Sequence, residues 1–252
     1  MISREIILKL ISFTDLTSLE PTDNAKTLEK IINKANHGFN GVYPAAVCVY
    51  PNLGPLVKKQ LNNSVKTAVV GGSFPTGQAT TATKIFELSE LEKTEINEVD
   101  IVINRGEFLL GNYDYVFKEL SAMRKTIPSK TLKVILETGE LKEPDLIAKA
   151  ANIAIESGAD FIKTSTGKCA VGATPEAVQV MCRQIARHHQ KTNQLVGIKP
   201  SGGVRTPEQA LTYYDLVLNE LGAGWLTPDL FRIGASSLYD LLIEAWHHET
   251  DQ

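Results

Sequence analysis

The sequence predicts an α/β chain closed into a single (β/α)8 barrel, with a short helix ahead of the first strand. Three observations predict it. Eight short apolar, β-branched runs alternate with segments of helical periodicity from one end to the other. The length, 252 residues, suits one closed barrel. No G-x-G-x-x-G follows the first run, the mark that an open doubly wound sheet would carry. The open sheet remains the structural alternative. No repeat, linker or low-complexity stretch divides residues 1–252, so one domain is expected.

The expected strands are 12–16, 46–50, 67–70, 99–103, 132–136, 160–164, 196–199 and 231–234. Residues 1–10 mix Arg4, Glu5 and Lys9 with isoleucines, an amphipathic helix too polar for a signal segment. Helical patterns cover 25–35, 81–90, 113–126, 144–156, 175–188 and 207–218, and a last helix opens after Ser236-Ser237. Thr174-Pro175 and Thr206-Pro207 place proline in the first turn behind a capping hydroxyl, and Gly158 sits where a left-handed cap would end a helix. This arrangement is a TIM barrel.

Composition bounds the function. The chain is 43% hydrophobic and 22% charged, with a net charge of −3 and no basic block, so nucleic acid and acidic membrane surfaces find no electrostatic match. No stretch approaches a membrane span. Cys48, Cys169 and Cys182 are odd in number and lack C-x-x-C spacing, which fits reduced thiols in a cytoplasmic setting. Cys48, within an apolar run, reads as a small core residue. His37, His188, His189, His247 and His248 show no metal-binding spacing, so no metal is expected.

Strand parity locates the chemistry. Alternation puts Val99, Ile101 and Ile103 against the helices and Asp100 in the lumen; Val196 and Ile198 face out while Gly197 and Lys199 face in. Lys163 ends the sixth run with the parity of Phe161. Lysines at the ends of neighbouring strands, about 4.8 Å apart, suppress each other's charge. A lysine amine with an ordinary pKa near ~10.4 attacks a carbonyl only after losing its proton, and burial with a second cation favours that loss. Asp100 supplies a carboxylate to move protons.

The following loops point to an anionic substrate. Thr164-Ser165-Thr166-Gly167-Lys168, Ser201-Gly202-Gly203 and Gly234-Ala235-Ser236-Ser237 combine glycines with hydroxyls after the last three strands, and the loops after strands seven and eight are where barrels favour phosphate. Gly167-Lys168 is not a nucleotide P-loop, since Ile162 and Cys169 stand where that motif needs glycine and a hydroxyl. Three readings stay open on these residues: a Schiff-base aldolase, a metal-dependent aldolase or sugar-phosphate isomerase on the same fold, and a non-catalytic sugar-phosphate sensor.

F-I-K-T-S-T-G-K at 161–168 and K-P-S-G-G-V-R at 199–205, with V-D-I-V-I-N at 99–104 and L-E-T-G-E-L at 136–141, resemble the deoxyribose-phosphate aldolase family over most of the chain. The resemblance implies a class I aldolase that needs no cofactor and reversibly cleaves 2-deoxy-D-ribose 5-phosphate to D-glyceraldehyde 3-phosphate and acetaldehyde, in deoxyribonucleotide catabolism. By this resemblance Lys163 is the Schiff-base lysine, Lys199 the second lysine that lowers its pKa and exchanges protons, and Asp100 the acid/base carboxylate. It also implies that Asp15 and Lys168 contact substrate and that Gly167, Gly202, Gly203, Ser236 and Ser237 surround the phosphate. The family forms homodimers or tetramers. Some members end in a tyrosine that assists proton transfer, whereas this chain ends His-His-Glu-Thr-Asp-Gln.

Overall fold

A computed structural model of the protein describes residues 2–248. Eight parallel strands, β1 (Thr14–Thr17), β2 (Ala46–Val49), β3 (Lys66–Gly71), β4 (Glu98–Val102), β5 (Thr131–Ile135), β6 (Phe161–Lys163), β7 (Gly197–Lys199) and β8 (Ile233–Ala235), lie in the order β7-β6-β5-β4-β3-β2-β1-β8. Bridges between Ile198 and Phe231 and between Ser201 and Gly234 join β7 to the β8 segment, so the sheet curls into a (β/α)8 barrel. The helices are α1 (Arg4–Ser12), α2 (Ala25–His37), α3 (Gly54–Gln60), α4 (Thr81–Glu92), α5 (Arg105–Leu109), α6 (Tyr113–Thr126), α7 (Thr138–Leu141), α8 (Pro144–Glu156), α9 (Pro175–Thr192), α10 (Pro207–Leu221) and α11 (Leu238–His248). Among the described residues, no helix is long and apolar enough to cross a membrane.

Local chemistry sets the helix ends. Thr174 and Thr206 accept from the backbone N–H groups of Ala177 and Gln209, with Pro175 and Pro207 in the first turn. Ser3 caps α1 by accepting from Ile6 N–H, and α1 buries Ile7, Leu10 and Ile11 where it packs on α10 and α11. Every strand lies within a residue or two of its expected bounds, and two starts move by two residues. Ser12 is still helical and Phe13 ends that helix, so β1 begins at Thr14 rather than at 12. The last strand begins at Ile233 rather than at 231, because Phe231 and Arg232 pair with Ile198 of β7 while Ile233 onward pairs with β1. The one- and two-turn helices α3, α5 and α7 had no periodicity to announce them.

The sheet has two apolar environments. Outward residues such as Val47, Val99, Ile101, Val134, Ile162 and Ile198 pack under the helices in the main core. A small separate cluster, Ala46, Cys48, Ala68 and Val70 with Leu19, lines the lumen side of β2 and β3. Several other inward positions, among them Asp15, Asp100, Lys133, Lys163 and Lys199, carry charges, and the register sets Asp100 beside Lys133 and Lys163 beside Lys199, with Asp15 facing Gly234. Gly197 leaves room for Phe161, since a Cβ there would stand 2.4 Å from the ring. Lys163 thereby rises past a packed aromatic to the end of its strand.

Candidate active site

Asp100 is the hub of the lumen. Its Oδ2 lies 2.8 Å from both Lys163 Nζ and Lys199 Nζ, and its Oδ1 lies 2.8 Å from Lys133 Nζ. Lys199 continues to Asp15 at 2.5 Å, and Lys133 to Glu98 at 2.5 Å. Arg232 closes the layer beneath, donating to Asp15 at 2.7 Å and to Glu98 at 2.8 Å. Sequence parity thus brought Asp100, Lys163 and Lys199 together correctly. It missed Glu98, Lys133 and Arg232, although all three are buried and belong to the same network. Glu98 has the parity of Asp100 but fell one residue before the expected strand, and Lys133 and Arg232 lay inside expected strands.

Counting charges separates the lysines. Four cations (Lys133, Lys163, Lys199, Arg232) face three carboxylates (Asp15, Glu98, Asp100), one positive charge in excess when all are ionised. Lys199, Lys133 and Arg232 each touch two carboxylates at 2.8 Å or less, whereas Lys163 touches Asp100 alone. Lys163 is therefore the cation whose proton is held least. Burial lowers its pKa below the ordinary lysine value, the nearby Lys199 ammonium lowers it further, and Asp100 opposes both. Burial also acts against the Lys199 charge, but Asp100 and Asp15 outweigh it and raise that pKa. Asp100 is itself desolvated, yet Lys133, Lys163 and Lys199 hold its carboxyl well below the usual range.

Lys163 opens into a cavity of about 310 Å³ at the C-terminal ends of the strands. Gly167, Lys168, Gly202, Gly203, Ser236 and Ser237 line it, as does Arg205, which the sequence reading did not single out. Gly202 and Gly203 have φ of +79° and +81°, a backbone that an L side chain strains to adopt. Ser236 and Ser237 precede α11, so the positive end of an 11-residue helix faces the cavity. Asp100, Lys199 and Asp15 are not on the lining: Asp15, expected to touch substrate, is fully buried beneath Lys199. Lys168 is on the rim with its ammonium donating to Leu19 O at 2.6 Å.

Hydrogen bonds fix these loops. Thr164 Oγ1 accepts from Ser201 N–H at 2.9 Å and donates to Ser201 O at 3.0 Å, tying β6 to β7. Behind Gly167, the buried Glu137 carboxylate accepts from Thr166 N–H at 3.2 Å and from Thr166 Oγ1 at 2.5 Å. Arg105 lies 3.5 Å from Glu137 and 2.8 Å from Glu140, and donates to Pro75 O and Thr76 O. Neither Glu137 nor Arg105 was expected.

Gly234 shows how closely the lumen is filled, because a Cβ there would come 3.0 Å from Lys199 Cε. Cys48 sits in the lumen's apolar wall, where burial pushes its thiol up to about 11. His188 and His189 are held by Gln194 near the end of α9, and among the described residues no group of three His, Cys, Asp or Glu is placed to hold a metal. The expectation about a terminal tyrosine concerns residues 249–252, which lie outside the described residues.

Residues 9–239 match the family described as DeoC/LacD family aldolase. The mouse (Mus musculus) deoxyribose-phosphate aldolase is 40% identical over 260 residues, covering 97% of this chain and 82% of its own. A solved structure described as a putative deoxyribose-phosphate aldolase from Coccidioides immitis superposes with a TM-score of 0.80 at 26% identity, over 95% of this chain and 86% of that one. The deoxyribose phosphate aldolase of Aeropyrum pernix, whose structure is described as a unique tetramer, shares the fold: TM-score 0.71 at 24% identity, over 99% of both chains.

Proposed function

The chain belongs to the DeoC/LacD aldolase family and is an enzyme, and from that premise we propose that it reversibly cleaves 2-deoxy-D-ribose 5-phosphate to D-glyceraldehyde 3-phosphate and acetaldehyde through an imine on Lys163. The observation carrying this reading is the position of Lys163: the lumen cation with a single carboxylate contact is also the one on the cavity lining. A desolvated amine with a lowered pKa is a competent carbonyl nucleophile.

In this mechanism Lys163 Nζ adds to the C1 aldehyde of the open-chain sugar and water leaves, giving a protonated imine. The C3 hydroxyl loses its proton and becomes a carbonyl. The C2–C3 electron pair moves into the iminium, releasing glyceraldehyde 3-phosphate and leaving an enamine. Protonation at C2 and hydrolysis then return acetaldehyde and the amine. Asp100 is too stable as a carboxylate to hold a proton for long. Its contribution is to link the two amines through one oxygen, 2.8 Å from each, so that a proton passes between Lys199 and the reacting centre by way of Asp100 and solvent. The glycine N–H groups, Ser236, Ser237 and Arg205, which line the same cavity as Lys163, receive the C5 phosphate.

The proposed setting is deoxyribonucleotide breakdown in the cytoplasm, with the sugar phosphate and further copies of the same chain, a homodimer or tetramer, as partners. Borohydride reduction in the presence of deoxyribose 5-phosphate or acetaldehyde, followed by peptide mass mapping, tests the chemistry. An adduct on the peptide holding Lys163 is expected. An adduct on Lys199 would exchange the lysines' roles, and no adduct on a protein that still cleaves the sugar would overturn the imine route.

A further inference from the structure

We propose that Lys133, a lysine with no access to the cavity, is a positioning residue that acts through Asp100: its charge leaves the lumen with one cation too many and thereby decides that Lys163 is the group to give up a proton. The inference rests on the imine reading of Lys163 and extends it to residues that touch no substrate.

Charge parity in the lumen decides which lysine is neutral. Lys163 meets Asp100 on β4 directly, with Lys199 on β7 and Cys48 on β2 nearby, and through Asp100 and Lys199 it joins Asp15 on β1, Glu98 on β4, Lys133 on β5 and Arg232 before β8. The inward residues of β3 beside this network, Ala68 and Val70, carry no charge, and Glu20, Lys168 and Arg205 across the cavity are exposed to screening solvent. At the far end of the barrel Lys66, 3.7 Å from Glu98, is matched by Asp229 at 2.8 Å, so that pair leaves the count unchanged. Cys48 is neutral, since burial raises its thiol to about 11. With Lys163 neutral the lumen sums to zero. A buried region of low polarisability penalises net charge, so neutrality is the state that the surroundings favour.

Lys133 produces the excess. It sits 2.5 Å from Glu98 and 2.8 Å from Asp100, and so offsets carboxylate charge that would otherwise hold a proton on Lys163. Without it, three cations would balance three carboxylates and Lys163 would stay an ammonium. Glu98 is the opposite lever, since removing its charge leaves four cations on two carboxylates and drives Lys163 further toward the free amine. Both substitutions break the same Lys133–Glu98 contact, yet parity predicts shifts of opposite sign. A purely structural role would move both the same way.

The experiment is the pH dependence of kcat/KM on deoxyribose 5-phosphate, with the borohydride-trapped lysine mapped in each variant. For Lys133→Met the acidic limb moves up by about one pH unit or more, and activity returns at alkaline pH. For Glu98→Gln the limb moves down by a similar amount. For the double variant, three cations on two carboxylates, it returns to within a few tenths of a unit of wild type, and Lys133→Arg leaves it in place. Limbs that move in the same direction, or a double variant displaced like Lys133→Met, would overturn the inference. Should Lys133→Met not fold, Glu98→Gln decides alone: a downward limb supports parity and a stationary or upward one refutes it. Trapping on Lys163 with no parity-dependent shift sinks this inference only, whereas no trapping on Lys163 at any pH sinks the imine reading beneath it.

Discussion

Replacing Glu137 by alanine should injure recognition of the phosphate and leave the carbonyl chemistry largely alone. Glu137 is buried, holds φ at +57°, and receives both Thr166 N–H and Thr166 Oγ1. Each bond to a charged acceptor is worth about 1.5–3 kcal/mol net. The loop of residues 164–168 can relax toward the cavity, so part of that loss is recovered and about 3 kcal/mol remains. For a chain of this length that corresponds to a fall in Tm of roughly 6–12 °C. The alanine also keeps the left-handed backbone, which costs a non-glycine residue about 1 kcal/mol, so Glu137→Gly should be the less destabilised variant. Because Thr166 and Gly167 line the cavity, the misplaced loop should lower kcat/KM for deoxyribose 5-phosphate about 10- to 100-fold, chiefly through KM, equivalent to roughly 1.4–2.7 kcal/mol. Cleavage of unphosphorylated 2-deoxyribose should change by less than about threefold. Equal losses on both sugars would refute the reasoning, since the defect would then lie with the lysines; so would an unchanged KM for the phosphorylated sugar.

Two further outcomes follow from buried charge. Lys84 and Glu119 pair at 2.8 Å between α4 and α6 with both side chains out of solvent, so Lys84→Met should cost about 3–5 kcal/mol in chemical denaturation, while Lys84→Met with Glu119→Leu should cost clearly less; a double variant as unstable as the single would contradict it. Asp15, Glu98 and Asp100 are buried, which alone would raise their pKa values, but the cations around them win and depress all three. Folded values below the unfolded ones near ~4 mean that this stability is present above about pH 5 and is lost as pH falls, at up to roughly 4 kcal/mol per pH unit for three protons. Denaturation midpoints between pH 5 and pH 3 measure the slope, and a slope of one proton or fewer would show that the network is not ionised as described.

How legible the molecule was depends on the range of the interactions involved. Residues 113–126 and 144–156 are helical to the residue expected, because periodicity and a first-turn proline are local signals. Alternation within a strand was equally local, and it placed Asp100, Lys163 and Lys199 on one side of the sheet. It could not show that Lys133 and Glu98 contact each other, since that depends on the register of β4 against β5. Nor could it show why Asp15 is buried: Arg232, 217 positions away in sequence, reaches it from beneath. The Arg105 strap was illegible for the same reason, as its acceptors lie in two distant segments, the loop at Pro75 and Thr76 and Glu140 of α7.

The charged lumen is better understood as a functional demand than as a source of stability. Desolvating paired charges costs about as much as their attraction returns, and apolar replacements of buried ion pairs are often neutral or stabilising. β2 and β3 show that this barrel can fill its lumen with alanine, cysteine and valine. Seven ionisable groups on the remaining strands are therefore a choice the fold did not need. An odd number of charges is what distinguishes this network from a structural salt-bridge array: with three carboxylates against four cations, one cation has to be inexpensive to deprotonate. On the imine reading that role falls to Lys163, which of the four has a single carboxylate contact and alone lines the cavity. The apolar half of the lumen serves the same end, because it keeps high-dielectric solvent from stabilising the extra charge.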